Sequence, residues 1–164
     1  DSSGIVFNGD GLAGMESLQE LDMEMRIESL EPLRNLKNLR VLSVVKGPAV
    51  EGSFQSMEPL SGLTQLESLE IGIRQADVDL SCLSGLTKLR NLYIQGTMNN
   101  SEDPIIDLTP LENLTELQTL DLSLAQIRDL TPLASLPNLQ SVTIFGPENL
   151  DTTPLAHVPS VNIN

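Results

Sequence analysis

The sequence predicts an α/β leucine-rich repeat solenoid, with parallel strands on a concave side and short helical or 3₁₀ turns on a convex side. Three observations predict it. The apolar string Leu111-x-x-Leu114-x-x-Leu117-x-x-Leu120-x-Leu122 recurs 22 residues later as Leu133, Leu136, Leu139, Val142 and Ile144. A period of that size, built on that spacing, belongs to stacked coils. Each string ends in a short segment that alternates apolar and polar residues, as a strand with one buried face requires. Proline stands one residue before the first leucine of five strings, at Pro32, Pro59, Pro110, Pro132 and Pro154.

Along the chain, Ile5-Val6-Phe7 is expected to form a short leading strand. The coils then begin at Leu12, Leu33, Leu60, Leu83, Leu111, Leu133 and Leu155, and subtraction gives spacings of 21, 27, 23, 28, 22 and 22. The unit is thus 22 residues, with about five or six added in the second and fourth coils. The strand cores are Leu21-Asp22-Met23, Leu42-Ser43-Val44, Leu69-Glu70-Ile71, Leu92-Tyr93-Ile94, Leu120-Asp121-Leu122 and Val142-Thr143-Ile144. They must run parallel, because each coil returns the chain to the same side. At about 4.8 Å per strand, seven coils make a stack roughly 30 Å long. On the convex side, Thr109, Thr131 and Thr153 precede three of the prolines. A Thr hydroxyl can accept an orphan N–H at the start of a helical turn, and Pro supplies a helical φ without an N–H to leave unpaired.

The segment Leu108-Thr-Pro-Leu-Glu-Asn-Leu-Thr-Glu-Leu-Gln-Thr-Leu-Asp-Leu122 resembles the 22-residue repeat of the internalins, adhesins of Gram-positive bacteria. The same repeat class occurs in small phosphatase-regulating leucine-rich proteins. The resemblance runs from about Leu12 to Leu155 and implies the solenoid fold, a protein partner, and an extracellular or cell-surface location. One departure is plain. The family usually carries Asn three residues after the strand core, as a ladder between coils. Here that slot holds Arg26, Gly47, Arg74, Thr97, Ala125 and Pro147.

At 164 residues the chain is expected to be a single domain, 1–164, of about seven coils, long enough to bury a continuous core. Aromatics are only 2% of residues, so that core must be aliphatic. The formal charge of −14 argues against a nucleic acid or an anionic membrane as partner. No stretch has the apolar length of a membrane span, so direct membrane insertion is not expected. The chain opens at Asp1-Ser-Ser-Gly and stops at Val161-Asn-Ile-Asn164, within a further strand. Solenoids need covering elements at their ends; none is evident, and a piece of a longer protein is expected.

Catalytic chemistry is not expected, nor is a cofactor or metal. His157, the only histidine, reads as a turn residue in the last coil. Cys82 takes the slot that other coils give to Pro and reads as structural, with no adjacent cation to activate it. Asp77 and Asp79, and the run Asn99 to Asp103, read as solvated acidic loops. The run lacks the spacing and Gly of a calcium loop.

Alternation instead points Glu20, Asp22, Glu24, Glu70, Tyr93, Gln95, Asp121 and Phe145 out of the core onto the concave sheet. The outward positions hold five acids and no Lys or Arg, which suits a protein partner with a basic surface. Tyr93 and Phe145 fall two strands apart, roughly 10 Å across the sheet, and exposed aromatics anchor interfaces. The added residues lie in Lys46–Phe54 and Gly96–Pro104, on one edge, where Phe54 and Met98 offer apolar contacts. The expected function is non-catalytic recognition of a protein by the concave sheet and that edge, in a bacterial surface or secreted protein. The alternatives are a targeting or spacer module fused to an enzyme outside these residues, or an intracellular phosphatase-regulator type.

Overall fold

A computed structural model describes residues 6–7, 10–12, 14–23, 26–27, 29–45, 56–73, 79–96, 105–145, 147 and 149–164. Among the described residues nine strands run in chain order: β1 Val6–Phe7, β2 Glu20–Met23, β3 Arg26–Ile27, β4 Val41–Val44 and β5 Ser68–Ile73, then β6 Asn91–Gly96, β7 Thr119–Gln126, β8 Ser141–Phe145 and β9 Ser160–Ile163. Seven of them form one all-parallel sheet in the order β2-β4-β5-β6-β7-β8-β9. The expected leading strand is present as β1, which pairs with β3 in a separate two-stranded sheet. Successive strands of the large sheet are spatial neighbours, as single coils of the chain dictate.

Between strands the chain turns through 3₁₀ segments at Asp10–Leu12, Glu31–Leu33, Glu58–Gly62, Leu80–Leu83, Thr109–Leu111, Thr131–Leu133 and Thr153–Leu155. No α-helix occurs among the described residues, and none of their helices is long and apolar enough to cross a membrane. The leucine spacing explains the choice. A 3₁₀ helix has three residues per turn, so every third side chain lies on one face. The L-x-x-L string has that period, and the backbone follows it. The Leu111 N–H donates to the Leu108 carbonyl, Leu114 to Leu111 and Leu117 to Leu114, at 2.8–3.0 Å. Leu33, Leu36 and Leu39 repeat the pattern one after another in an earlier coil.

The turns are capped differently from expectation. Each Thr was expected to accept an N–H through its hydroxyl. Instead, the residue two positions earlier accepts. Asp107 Oδ1 receives the Thr109 N–H, Asp129 that of Thr131 and Asp151 that of Thr153, each at 2.9 Å. Asp79 serves Ser81 at 2.8 Å, and the Ser29 and Ser56 hydroxyls serve Glu31 and Glu58. The Thr hydroxyl donates into the same carboxylate. A carboxylate is the stronger acceptor, and from two residues away it reaches the N–H without distorting the turn.

The core is a single column of aliphatic side chains. Leu33, Leu60, Leu83, Leu111 and Leu133 are fully buried, as are Leu42, Leu69, Leu92, Leu120 and Val142 on the strands. No buried polar or charged residue interrupts it among the described residues. Burying one such side chain contributes about 1.5–3 kcal/mol. The final strand is less covered: Val161, which continues the Leu120–Val142 row, is 39% exposed. The missing Asn ladder has a partial substitute on the other flank. Asn38 donates to the Glu16 carbonyl at 2.7 Å, and Asn138 to the Thr115 carbonyl at 2.8 Å, each tying its coil to the one before.

Candidate functional site

Strand register converts alternation into rows of side chains that run across the sheet. The pairs Leu42–Leu69–Leu92–Leu120–Val142 place one row inward. The residues on either side therefore face out. One outward rung reads Glu20, Val41, Ser68, Asn91, Thr119, Ser141 and Ser160. The next reads Asp22, Ser43, Glu70, Tyr93, Asp121, Thr143 and Asn162. Beyond it the register pairs Gly72 with Gln95 and Gln95 with Ser123. Burial agrees with this assignment. Glu20, Asp22 and Gln95 are exposed, while Glu70, Tyr93 and Asp121 are half-buried between their neighbours.

The register brings Tyr93 directly between Glu70 and Asp121. Gln95 Nε2 donates to Glu70 Oε1 at 3.3 Å, holding that carboxylate toward the middle of the sheet. Phe145 is not on the Tyr93 rung, whose member on β8 is Thr143. A shift between Leu122 and Gln126 pairs Phe145 with Gln126, so the simple separation of roughly 10 Å across two strands does not apply. A bulge of this kind leaves no trace in an alternating pattern. Of Phe145 the structure describes the backbone. Glu24, Phe54 and Met98 lie outside the described residues, as do Lys46–Phe54 and residues 97–104 of the two inserted segments.

None of the outward rungs contains Lys or Arg. Three arginines outside the rungs are engaged by carboxylates. Arg40 pairs with Glu67 at 2.7 Å and Arg90 with Glu116 at 3.0 Å. Arg34 bridges Glu31 at 2.8 Å and Glu58 of the next coil, and its guanidinium holds both carboxyls below the usual range. Lys88 donates to Gln65 at 2.6 Å. Arg34, Arg40 and Arg90 are thus engaged outside the rungs, in pairs that for each of them reach a neighbouring coil.

The remaining candidates for chemistry are engaged in structure. Burial pushes the Cys82 thiol up to about 12, and Asp79 and Glu58 add to the shift. Asp79 itself is a turn cap, held low by its bonds from Ser81. A ring nitrogen of His157 lies 3.0 Å from the Leu136 carbonyl. Asp77 and the run Asn99 to Asp103 are outside the described residues. Among the described residues, no three His, Cys, Asp or Glu side chains come together as a metal site would require.

No family model matches the chain, and no curated protein does. Solved structures do. An internalin of Listeria monocytogenes is 33% identical over 93% of this chain, with a TM-score of 0.76. Internalin C2 of the same species is 26% identical over 99% of the chain, with a TM-score of 0.60. A leucine-rich repeat protein of Leptospira interrogans shares the fold at 20% identity over 92% of the chain, with a TM-score of 0.64. The chain spans 43%, 77% and 38% of those three proteins, respectively.

Proposed function

We propose, from the premise that this chain is an internalin-like leucine-rich repeat domain, that it is a non-catalytic module recognising a protein through its open sheet face and the neighbouring loop edge. The fold class supports protein interaction in general. One observation carries the choice of face: the outward rungs hold Glu20, Asp22, Glu70 and Asp121 around Tyr93 and contain no Lys or Arg of their own, while Arg34, Arg40 and Arg90 pair with carboxylates outside them. A surface of one sign attracts a partner of the other and steers its approach. Tyr93 supplies the rigid, amphipathic anchor on which interface energy concentrates. The likeness to internalins supports a place on a bacterial surface or among secreted proteins, and the acidity supports a partner with a basic surface. A parallel sheet on a packed aliphatic core needs little rearrangement to bind.

The test is capture from extracellular and cytosolic extracts by the wild-type domain beside a folded Tyr93→Ala/Phe145→Ala variant. A partner held by the wild type and lost by the variant supports the open face. A partner indifferent to both rings moves the site to the loops or the convex turns.

A further inference from the structure

From Glu31 onward the 3₁₀ turns are capped by two chemistries, and these segregate along the chain. The turns Glu31–Leu33 and Glu58–Gly62 are opened by hydroxyls: Ser29 Oγ accepts the Glu31 N–H at 3.1 Å and Ser56 Oγ the Glu58 N–H at 3.0 Å. The later described turns are opened by carboxylates, from Asp79, Asp107, Asp129 and Asp151, at 2.8–2.9 Å. The boundary falls between β5 and β6, which on the open face is between Glu70 and Tyr93. A hydroxyl cap does not titrate in acid, whereas a carboxylate becomes a weaker acceptor once protonated.

We infer that this segregation makes the solenoid a directional acid switch: as pH falls below about 4, the turns from Leu80 onward loosen while those at Glu31–Leu33 and Glu58–Gly62 persist. Repeat stacks are held by contacts between neighbouring coils, so one end can open without the other. Net charge does not favour either part. Residues 1–78 hold 13 acids and six bases, and residues 79–164 hold 10 acids and three bases, so each part carries −7. Relief of repulsion in acid is therefore shared, and the caps decide. Exposed ion pairs lie on both sides: Arg34 with Glu31 and Arg40 with Glu67 before the boundary, Arg90 with Glu116 after it. Their loss returns each partner to water and changes stability little.

The surroundings of the carboxylate caps leave the titration to the caps themselves. Asp129 bears on Asp107, the Cys82 thiol lies near Asp79 with Glu58 beyond it, and Arg128 precedes Asp129 in the chain. Glu112, after the Thr109 turn, is turned to Asn113 at 3.5 Å, and the His157 ring lies against the Leu136 carbonyl. The thiol, pushed up to about 12, and the guanidinium of Arg128 keep their charge states through acid. The bonds from Thr109, Thr131 and Thr153 hold the three later carboxyls below the usual range. Each of those caps is therefore whole above about pH 4 and is lost as pH falls through the lower folded value.

The experiment follows hydrogen–deuterium exchange of the 164-residue chain, read by mass spectrometry on peptic peptides at micromolar concentration. Protection, corrected for the intrinsic exchange rate, is compared between about pH 6 and about pH 3. Peptides within residues 80–96 and 105–164 are expected to lose about tenfold or more in protection, and those within 29–45 and 56–73 less than about twofold. Asp107→Ser/Asp129→Ser/Asp151→Ser installs the hydroxyl cap of the earlier coils and should keep its own coils protected in acid. Ser29→Asp/Ser56→Asp should carry the acid loss into the earlier coils, and it decides the matter alone if the triple variant does not fold at neutral pH. Equal loss throughout the wild type, earlier loss within residues 29–73, or no loss at all overturns the switch. So does a triple variant that opens in acid as the wild type does, or a double variant whose earlier coils stay protected.

Discussion

At the scale of single residues, Asp107, Asp129 and Asp151 repeat one device: a carboxylate that accepts the N–H two residues ahead and is held below its usual range by that bond and by the Thr hydroxyl. Because the folded pKa is depressed, the stabilisation is complete above the unfolded value, near 3.8, and disappears as pH falls through the folded one. Asp129→Ala is expected to lower the melting temperature by a few degrees at neutral pH. The gap from wild type should hold down to about pH 5, begin to narrow near about pH 4 and close only as pH falls through the lower folded value. Thermal melts at several pH values check this, and a gap that persists in acid would show that the loss is not that of the carboxylate. The D-x-T-P-L spacing was visible in the sequence, but the Thr-Pro pair drew the cap to Thr, because which oxygen reaches an N–H depends on turn geometry that sequence spacing does not express. Tyr93 tells the complementary story. Alternation sufficed to put it outside the core, yet its place between Glu70 and Asp121 needed the register of three strands. As it is half-buried, Tyr93→Ala should weaken a concave-face partner by tenfold or more while shifting the melting temperature little, a contrast that titration beside a thermal melt would reveal.

At the scale of elements, strands alternate with 3₁₀ turns of three to five residues, and the backbone and leucines of the turns share one period. Leu120, the second residue of β7, is fully buried, and Thr119 beside it faces outward. Leu120→Asp is expected to abolish the cooperative melt, because it puts an unpaired charge into an aliphatic column. Thr119→Asp should keep the fold. Circular dichroism on both variants is decisive: a cooperative transition for Leu120→Asp would mean that the two faces of the strand are exchanged. Element order, strand cores and turn positions were all legible, since the buried leucines repeat too strictly to be read in another frame. The shift in β7 that pairs Phe145 with Gln126 was not legible, because it comes after the buried pairs Leu120–Val142 and Leu122–Ile144, which keep the regular register.

At the scale of the whole molecule, a charge of −14 on 164 residues repels itself. The ion pairs of Arg34, Arg40 and Arg90 are exposed, and exposed pairs contribute little each. Screening should therefore relieve more repulsion than attraction. The melting temperature is expected to rise as salt is increased from about 0.01 M to about 0.2 M, measured by scanning fluorimetry in a non-binding salt. A fall over that range would mean that the bridges between coils outweigh the net charge.

The sequence by itself determined the solenoid, its seven turns, the direction of its strands and the identity of its core, because one-dimensional stacking makes every coil solve the same burial problem and so write the same string. Only the tertiary structure decided which outward residues are neighbours, that Tyr93 stands between Glu70 and Asp121, and that Arg40 and Arg90 are paired with carboxylates of the next coil. Those relations join residues about 20 or more positions apart, and they depend on the register between coils and on loop lengths, which no repeat string records.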